Sequence, residues 1–238
     1  MEDGFLNFSF PKKNPHVGSI DVDLAFDHRN IQEDAYRTIQ ELLRGRGYQQ
    51  GKQPYIFFRD VVIDDQNVKV EVDLLSGEYE GTGKSHRHQR IQEIFARKAR
   101  GCDLAFENPI EITIEGTLPG GGKDIVKIRV ASVISFLVMK GMAIEERLKE
   151  KDAWDIWYCL KNNPSGIDAL IDEFKQLIDN TLVKEGLEKI GKHFSSEEHI
   201  GPRFVADFEE ITEAEERELI QRDAFERVDY LLKKLGIR

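Results

Sequence analysis

Apolar and polar residues alternate in Gly18-Ser19-Ile20-Asp21-Val22-Asp23-Leu24 and again in Val68-Lys69-Val70-Glu71-Val72-Asp73-Leu74-Leu75. That is the period-two pattern of a half-buried strand. Ile20, Val22 and Leu24 are expected to face a core while Asp21 and Asp23 share the other side. Val68, Val70 and Val72 leave Lys69, Glu71 and Asp73 outward in the same way. Residues 31–46 place Ile31, Ala35, Ile39, Leu42 and Leu43 at helical spacing, with Gly45 and Gly47 where a helix would stop. Residues 55–63 read as a strand and Asp64-Asp65-Gln66-Asn67 as a turn, so this strand and the Asp73 strand form an expected hairpin. A second helix is expected from about His86 to Ala99. Two further strands, 109–116 and 124–130, flank Leu118-Pro119-Gly120-Gly121-Gly122.

From Ser132 onward the period is helical. Ser132 is placed to cap a helix carrying Val133, Phe136, Leu137, Lys140, Ala143 and Ile144, and 151–160 continues as another helical stretch. Asn162-Asn163-Pro164-Ser165-Gly166 breaks it. Segments 166–180, 182–192 and 212–235 supply three more helices, the last with Thr212 and Glu215 in a capping-box arrangement. The expected architecture is α+β: a mixed sheet with flanking helices over residues 1–130, then a helical domain over 131–238.

At 238 residues and 40% hydrophobic content, the chain is long enough to bury a sizeable core. No apolar run reaches the roughly 18 residues that span a bilayer, and the N-terminus lacks a signal-peptide pattern. A cytoplasmic protein with no membrane association is the expectation. Cys102 and Cys159 lie far apart without a zinc-type Cys/His pattern, which favours reduced core thiols over a disulfide or metal site. A net charge of −10 argues against a surface that grips nucleic acid everywhere. One local basic strip exists: residues 84–100 carry six Lys or Arg (Lys84, Arg87, Arg90, Arg97, Lys98 and Arg100) against the single acid Glu93. It reads either as a solvated helix flank or as a guide for an RNA backbone.

The chemistry gathers on the acids. If the two alternating strands pair in one sheet, Asp21, Asp23 and Asp73 converge, and three unpaired negative charges in one place call for a cation. Carboxylate oxygens suit Mg²⁺ or Mn²⁺, which keep coordination sites for water and substrate phosphates. Gly81-Thr82-Gly83-Lys84-Ser85 imitates a phosphate-binding P-loop, but Glu78 stands where that motif needs glycine, so a flexible loop is the better reading. Lys140, among apolar neighbours, must snorkel, pair with an acid or face a site. Asp152 and Asp155 are the acids within reach of that argument, and Trp154, Trp157 and Tyr158 read as core.

Taken together, Asp21-Val22-Asp23-Leu24, the strand 70–75 bearing the third acid, and Met139-Lys140 through Arg147 to Lys151-Asp152-Ala153-Trp154-Asp155 resemble the nucleotidyltransferase toxins of the abortive-infection AbiEii/AbiGii type. The resemblance implies a nucleotidyltransferase-like fold and transfer of a nucleoside monophosphate from a nucleoside triphosphate to an acceptor such as a tRNA or other RNA. It also implies restraint by a cognate antitoxin protein. By that resemblance Asp21, Asp23 and Asp73 would hold divalent metal, Lys140 would contact nucleotide phosphates, and Asp152 would complete the pocket. Ser19 would stand near the nucleotide, where relatives have a threonine. Folds of this type usually carry a G-[GS] turn roughly ten residues before the D-x-D, and Phe5-Leu6-Asn7-Phe8-Ser9-Phe10-Pro11-Lys12-Lys13-Asn14-Pro15-His16-Val17 has none. The alternative is therefore a catalytically degenerate nucleotide- or RNA-binding member of the same fold.

Overall fold

A computed structural model of the protein describes residues 16–18, 21–27, 33–63, 66–78, 88–91, 94–117 and 121–238. Among these residues the chain has the expected α+β class, with eight strands and eight helices. They form two compact units: Gly18–Glu107, and Asn108–Arg238 together with His16 and Val17.

The first unit is a six-stranded mixed sheet of β1 (Asp21–Phe26), β2 (Gln49–Gln50), β3 (Ile56–Ile63), β4 (Gln66–Ser76), β5 (His88–Ile91) and β6 (Ile94–Lys98), with helices α1 (Glu33–Gly45) and α2 (Leu104–Glu107). β4 is its spine. Residues 71–76 pair in parallel with β1, residues 66–73 pair antiparallel with β3, and Leu75 and Ser76 pair in parallel with β6. A strand has two edges, so β1 lines one edge of β4 while β3 and then β6 share the other. Phe26, Phe57, Val72, Leu74 and Ala96 form the buried core with Tyr55, and Ile39 and Leu43 of α1 pack against it. α1 ends where the glycines suggest: Gly47 takes φ +81° and its N–H donates to the Arg44 carbonyl at 2.9 Å.

Two expectations are corrected here. The segment read as a helix from 86 to 99 contains β5 and β6 instead. Ala96 is fully buried in the sheet core, and its neighbours complete their backbone hydrogen bonds by pairing with β4 and β5. Tertiary pairing overrides the local helical spacing. Val22 and Leu24, expected to face a core, are 45% and 38% exposed, since among the described strands β1 pairs with β4 alone. The glycine-rich stretch 81–85, with Lys84, and Arg87 beyond it, lie outside the described residues.

The second unit opens with the hairpin β7 (Ile110–Thr117) and β8 (Lys123–Val130), followed by α3 (Val133–Arg147), α4 (Glu150–Asn162), α5 (Gly166–Leu177), α6 (Thr181–His193), α7 (Ile200–Phe208) and α8 (Ala214–Lys234). Helices begin where the period changes, and the two compact units divide between Glu107 and Asn108. The reason is pairing: among the described strands β7 and β8 bond only to each other and stand outside the six-stranded sheet. Ser132 caps α3 as expected, its hydroxyl accepting from Ser135 N–H at 3.3 Å. At α8 the cap is Glu213, not Thr212; its carboxylate accepts from Glu216 N–H at 2.7 Å. The helix α7 is not among the expected elements, and it carries Gly201-Pro202 in its first turn. Proline is tolerated there because the first turn has no N–H bond to lose.

α4 is buried nearly all round, from Asp152 through Leu160, so it is the central helix of this unit. Trp154 and Trp157 belong to the core, and each satisfies its indole N–H, Trp154 on Glu209 and Trp157 on Asp223 at 2.7 Å. Cys159 on α4 and Cys102 in the sheet unit are buried free thiols; burial pushes Cys102 up to about 12 and Cys159 also upward, which makes both inert. No helix among the described residues is long and apolar enough to cross a membrane.

α3 and α6 meet at Gly141 and Gly186. A Cβ at Gly141 would lie 2.3 Å from the Gly186 carbonyl oxygen, a backbone atom that cannot swing aside. Gly141→Ala should therefore destabilise the protein by about 1–3 kcal/mol in urea unfolding, outweighing the gain of about 1 kcal/mol in helix propensity.

Candidate functional site

Register builds the first cluster. In the parallel β1–β4 pair Asp23 stands directly opposite Asp73, and Asp21 opposite Glu71. Residues opposed in a ladder point to the same face, so four acids form a patch on the side of the sheet away from Val72, Leu74 and Phe57. Glu71 is an addition that the D-x-D reading did not include. Arg97 enters the same patch from β6, whose partner Leu75 lies two residues beyond Asp73. Its guanidinium Nη2 is 2.8 Å from Asp73 Oδ2 and 3.8 Å from Asp23 Oδ1. Among the described residues no group of three or more His, Cys, Asp or Glu side chains is arranged to hold a metal ion. The cation standing between Asp23 and Asp73 here is Arg97.

The Asp73–Arg97 pair does not satisfy itself. Asp73 Oδ1 and Arg97 Nε are both buried and, among the described residues, without a hydrogen-bond partner. Asp73 is the enclosed partner, with 14% of its side chain exposed against 62% for Asp23. Burial raises the Asp73 carboxyl to about 6; Arg97 pulls it down, while Asp23 and Glu71 push it further up. The folded state thus keeps this proton to higher pH than the unfolded chain does. Its contribution to stability is fully present below about pH 4 and is lost as pH rises through about 6. In metal-free protein, NMR of the side-chain carboxyl should show Asp73 titrating near pH 6, and a midpoint at the ordinary value near 4 would contradict this environment.

The second cluster lies within the helical unit. Lys140 Nζ on α3 is 2.9 Å from Asp152 Oδ1 and 2.5 Å from Asp155 Oδ2 on α4. Arg147 clamps Asp152 with two bonds of 2.7 Å, and His16 Nε2 lies 2.8 Å from Asp155 Oδ1. Both carboxylates are 1% exposed. The spacing explains the meeting: Asp152 and Asp155 sit three residues apart on one face of α4, and α3 runs into α4 through only Leu148 and Lys149. Burial penalises every charge here, yet the pairing wins. Arg147 and Lys140 hold Asp152 below the usual carboxylate range, His16 and Lys140 do the same for Asp155, and the two carboxylates raise Lys140. His16 also packs against Trp154 and Tyr158, with ring centroids 4.9 Å from each.

Of the residues singled out in sequence, Asp23 and Asp73 are brought together with Asp21 one pair along. Lys140 and Asp152 are brought together in the other unit, with Asp155 as anticipated. Ser19 lies outside the described residues. Arg97 and His16 were missed as site residues. Arg97 was absorbed into a supposed helical basic strip, of which Arg100 is also tied to a carboxylate, Glu78, at 2.8 Å. A strand reading of 94–98, with small Ala96 inward and Arg97 outward, carries the signal. For His16 no local signal exists, since its partner is 139 positions away.

The family model described as nucleotidyl transferase AbiEii toxin, type IV toxin–antitoxin system, matches residues 14–233. No curated protein and no solved structure matches the chain.

Proposed function

Because this chain belongs to the nucleotidyl transferase AbiEii toxin family, we propose that it moves a nucleoside monophosphate from a nucleoside triphosphate to a hydroxyl of an RNA acceptor, in the cytoplasm and under the control of an antitoxin protein. The observation that carries this reading is the parallel register setting Asp23 against Asp73. The donor chemistry suits a divalent cation: hard carboxylate oxygens, one of which, Asp73 Oδ1, is buried and, among the described residues, without a hydrogen-bond partner. Asp21, Asp23 and Asp73 would hold Mg²⁺ or Mn²⁺. When bound, the metal would supply charge neutralisation for the phosphates and orientation of the attacking and leaving oxygens.

The chain's own residues would do the rest. The acceptor oxygen bonds to the α-phosphorus, the bond to pyrophosphate breaks, and Asp73 takes the hydroxyl proton. Lys140 keeps its charge through a hydrogen bond to Asp152 and the charge of Asp155 beside it, and it would use a remaining N–H to meet a phosphate oxygen. Asp152 would act by orienting Lys140. Ser19 is assigned to the nucleotide by the family resemblance alone.

Incubation with labelled triphosphates, Mg²⁺ or Mn²⁺ and total RNA should transfer label to RNA, and no transfer to any acceptor would overturn the enzyme reading. A second reading draws support from Arg97, which stands where a metal-dependent enzyme needs its ion: a nucleotide- or RNA-binding member without turnover. Calorimetric nucleotide binding that survives Asp21→Ala with Asp23→Ala, in a protein without transfer, would favour it.

A further inference from the structure

We propose that Arg97 is the resident counter-ion of the metal-free carboxylate patch, a tethered cation that a divalent metal must displace, and whose guanidinium then turns to the phosphates of the substrate. The inference rests on the metal-site reading of Asp23 and Asp73. It adds a residue from a third strand and an order of events.

Arg97 is placed for this by topology. β6 pairs with β4 at Leu75 and Ser76 only, so Arg97 arrives beside Asp73 at the edge where β3 has ended. Its Nη2 touches Asp73 at 2.8 Å and reaches toward Asp23 at 3.8 Å, the two carboxylates that the β1–β4 register opposes. Arginine cannot lose its proton, so its charge is present at every working pH. It spares the patch the repulsion of facing acids.

The pair is also incomplete in an informative way. A full Arg–carboxylate fork uses two parallel bonds, yet here Arg97 Nε and Asp73 Oδ1 are both buried and, among the described residues, unpartnered. The open acceptor is what a metal ion takes, and the open donor is what a phosphate oxygen takes. Arg97 retains 35% side-chain exposure, which gives the guanidinium room to leave without moving the strand.

A charge-assisted bond of this kind opposes metal entry by about ten- to a hundredfold in affinity. Binding of Mn²⁺ alone, followed by the loss of its free electron-paramagnetic-resonance signal, should therefore tighten at least tenfold in Arg97→Met. Arg97→Lys, which keeps a charge but shortens its reach, should fall between. Melting in chelator and in Mn²⁺ gives a second reading: Mn²⁺ should raise the melting temperature of Arg97→Met more than that of the parent, which also covers a variant only marginally folded in chelator.

Equal or weaker Mn²⁺ affinity in Arg97→Met, with parent binding abolished by Asp23→Asn and Asp73→Asn, would overturn the role of Arg97 and leave the metal site standing. Mn²⁺ binding that persists in both Asn variants, or no binding by the parent and Arg97→Met alike, would remove the metal site and this inference together.

Discussion

Asp73→Asn should lower nucleotidyl transfer by about a thousandfold or more while the protein stays folded. The substitution keeps the shape and removes a charge from the point where Asp23, Arg97 and the proposed metal meet. Metal-supplied charge stabilisation is worth several kcal/mol, and each 1.36 kcal/mol is about a tenfold change in rate. The fold should survive because β4 is fixed by its backbone ladders and by Val72 and Leu74 on the opposite face. Burial already disfavours the charged form of Asp73, so the amide is no worse in that position. Transfer to RNA, timed in the initial-rate regime alongside a thermal melt, is the measurement. A variant that keeps activity within about tenfold of the parent, normally folded, would sink the role given to this carboxylate.

The second large effect is on stability. Asp155→Ala should cost about 3–5 kcal/mol in urea unfolding at neutral pH, because removing one member of a buried ionic network leaves its partners uncompensated. Asp155 is 1% exposed and meets both Lys140 and His16. Asp155→Asn should fall between, as the amide can still bond to His16 but no longer offsets the lysine charge. The pH dependence has a definite sign. Asp152 and Asp155 are held below the usual carboxylate range, so their contribution is present above the unfolded value near 4 and is lost as pH falls through the lower folded values. Acid unfolding of Asp155→Ala should accordingly be shallower than that of the parent. A loss below about 1 kcal/mol would mean that the network adds little.

Much of this was legible in the chain because its strongest patterns are local. The alternations around Asp21–Asp23 and before Asp73 gave the strands, and since both keep strict period two, their outward faces could be inferred before their pairing was known. Most helices after Ser132 followed from three- and four-residue spacing, and the apolar neighbours of Lys140 left an acid such as Asp152 or Asp155 among its possible partners. What escaped depended on distant partners. Residues 94–98 carry no preference strong enough to resist β4, so a short run that spells a helix alone becomes a strand. The absence of a local rule for His16 has the same origin.

The helical unit is interrupted in sequence: His16 belongs to it, the chain then leaves to build the sheet from Gly18 to Glu107, and it returns at Asn108. A ribosome therefore releases the whole sheet, with Asp23, Asp73 and Arg97, before α4 exists to receive His16. Domains tend to fold in order of synthesis, so the carboxylate patch should form before the Lys140 network. A nascent chain halted before α4 would carry the carboxylate patch without the Lys140 network.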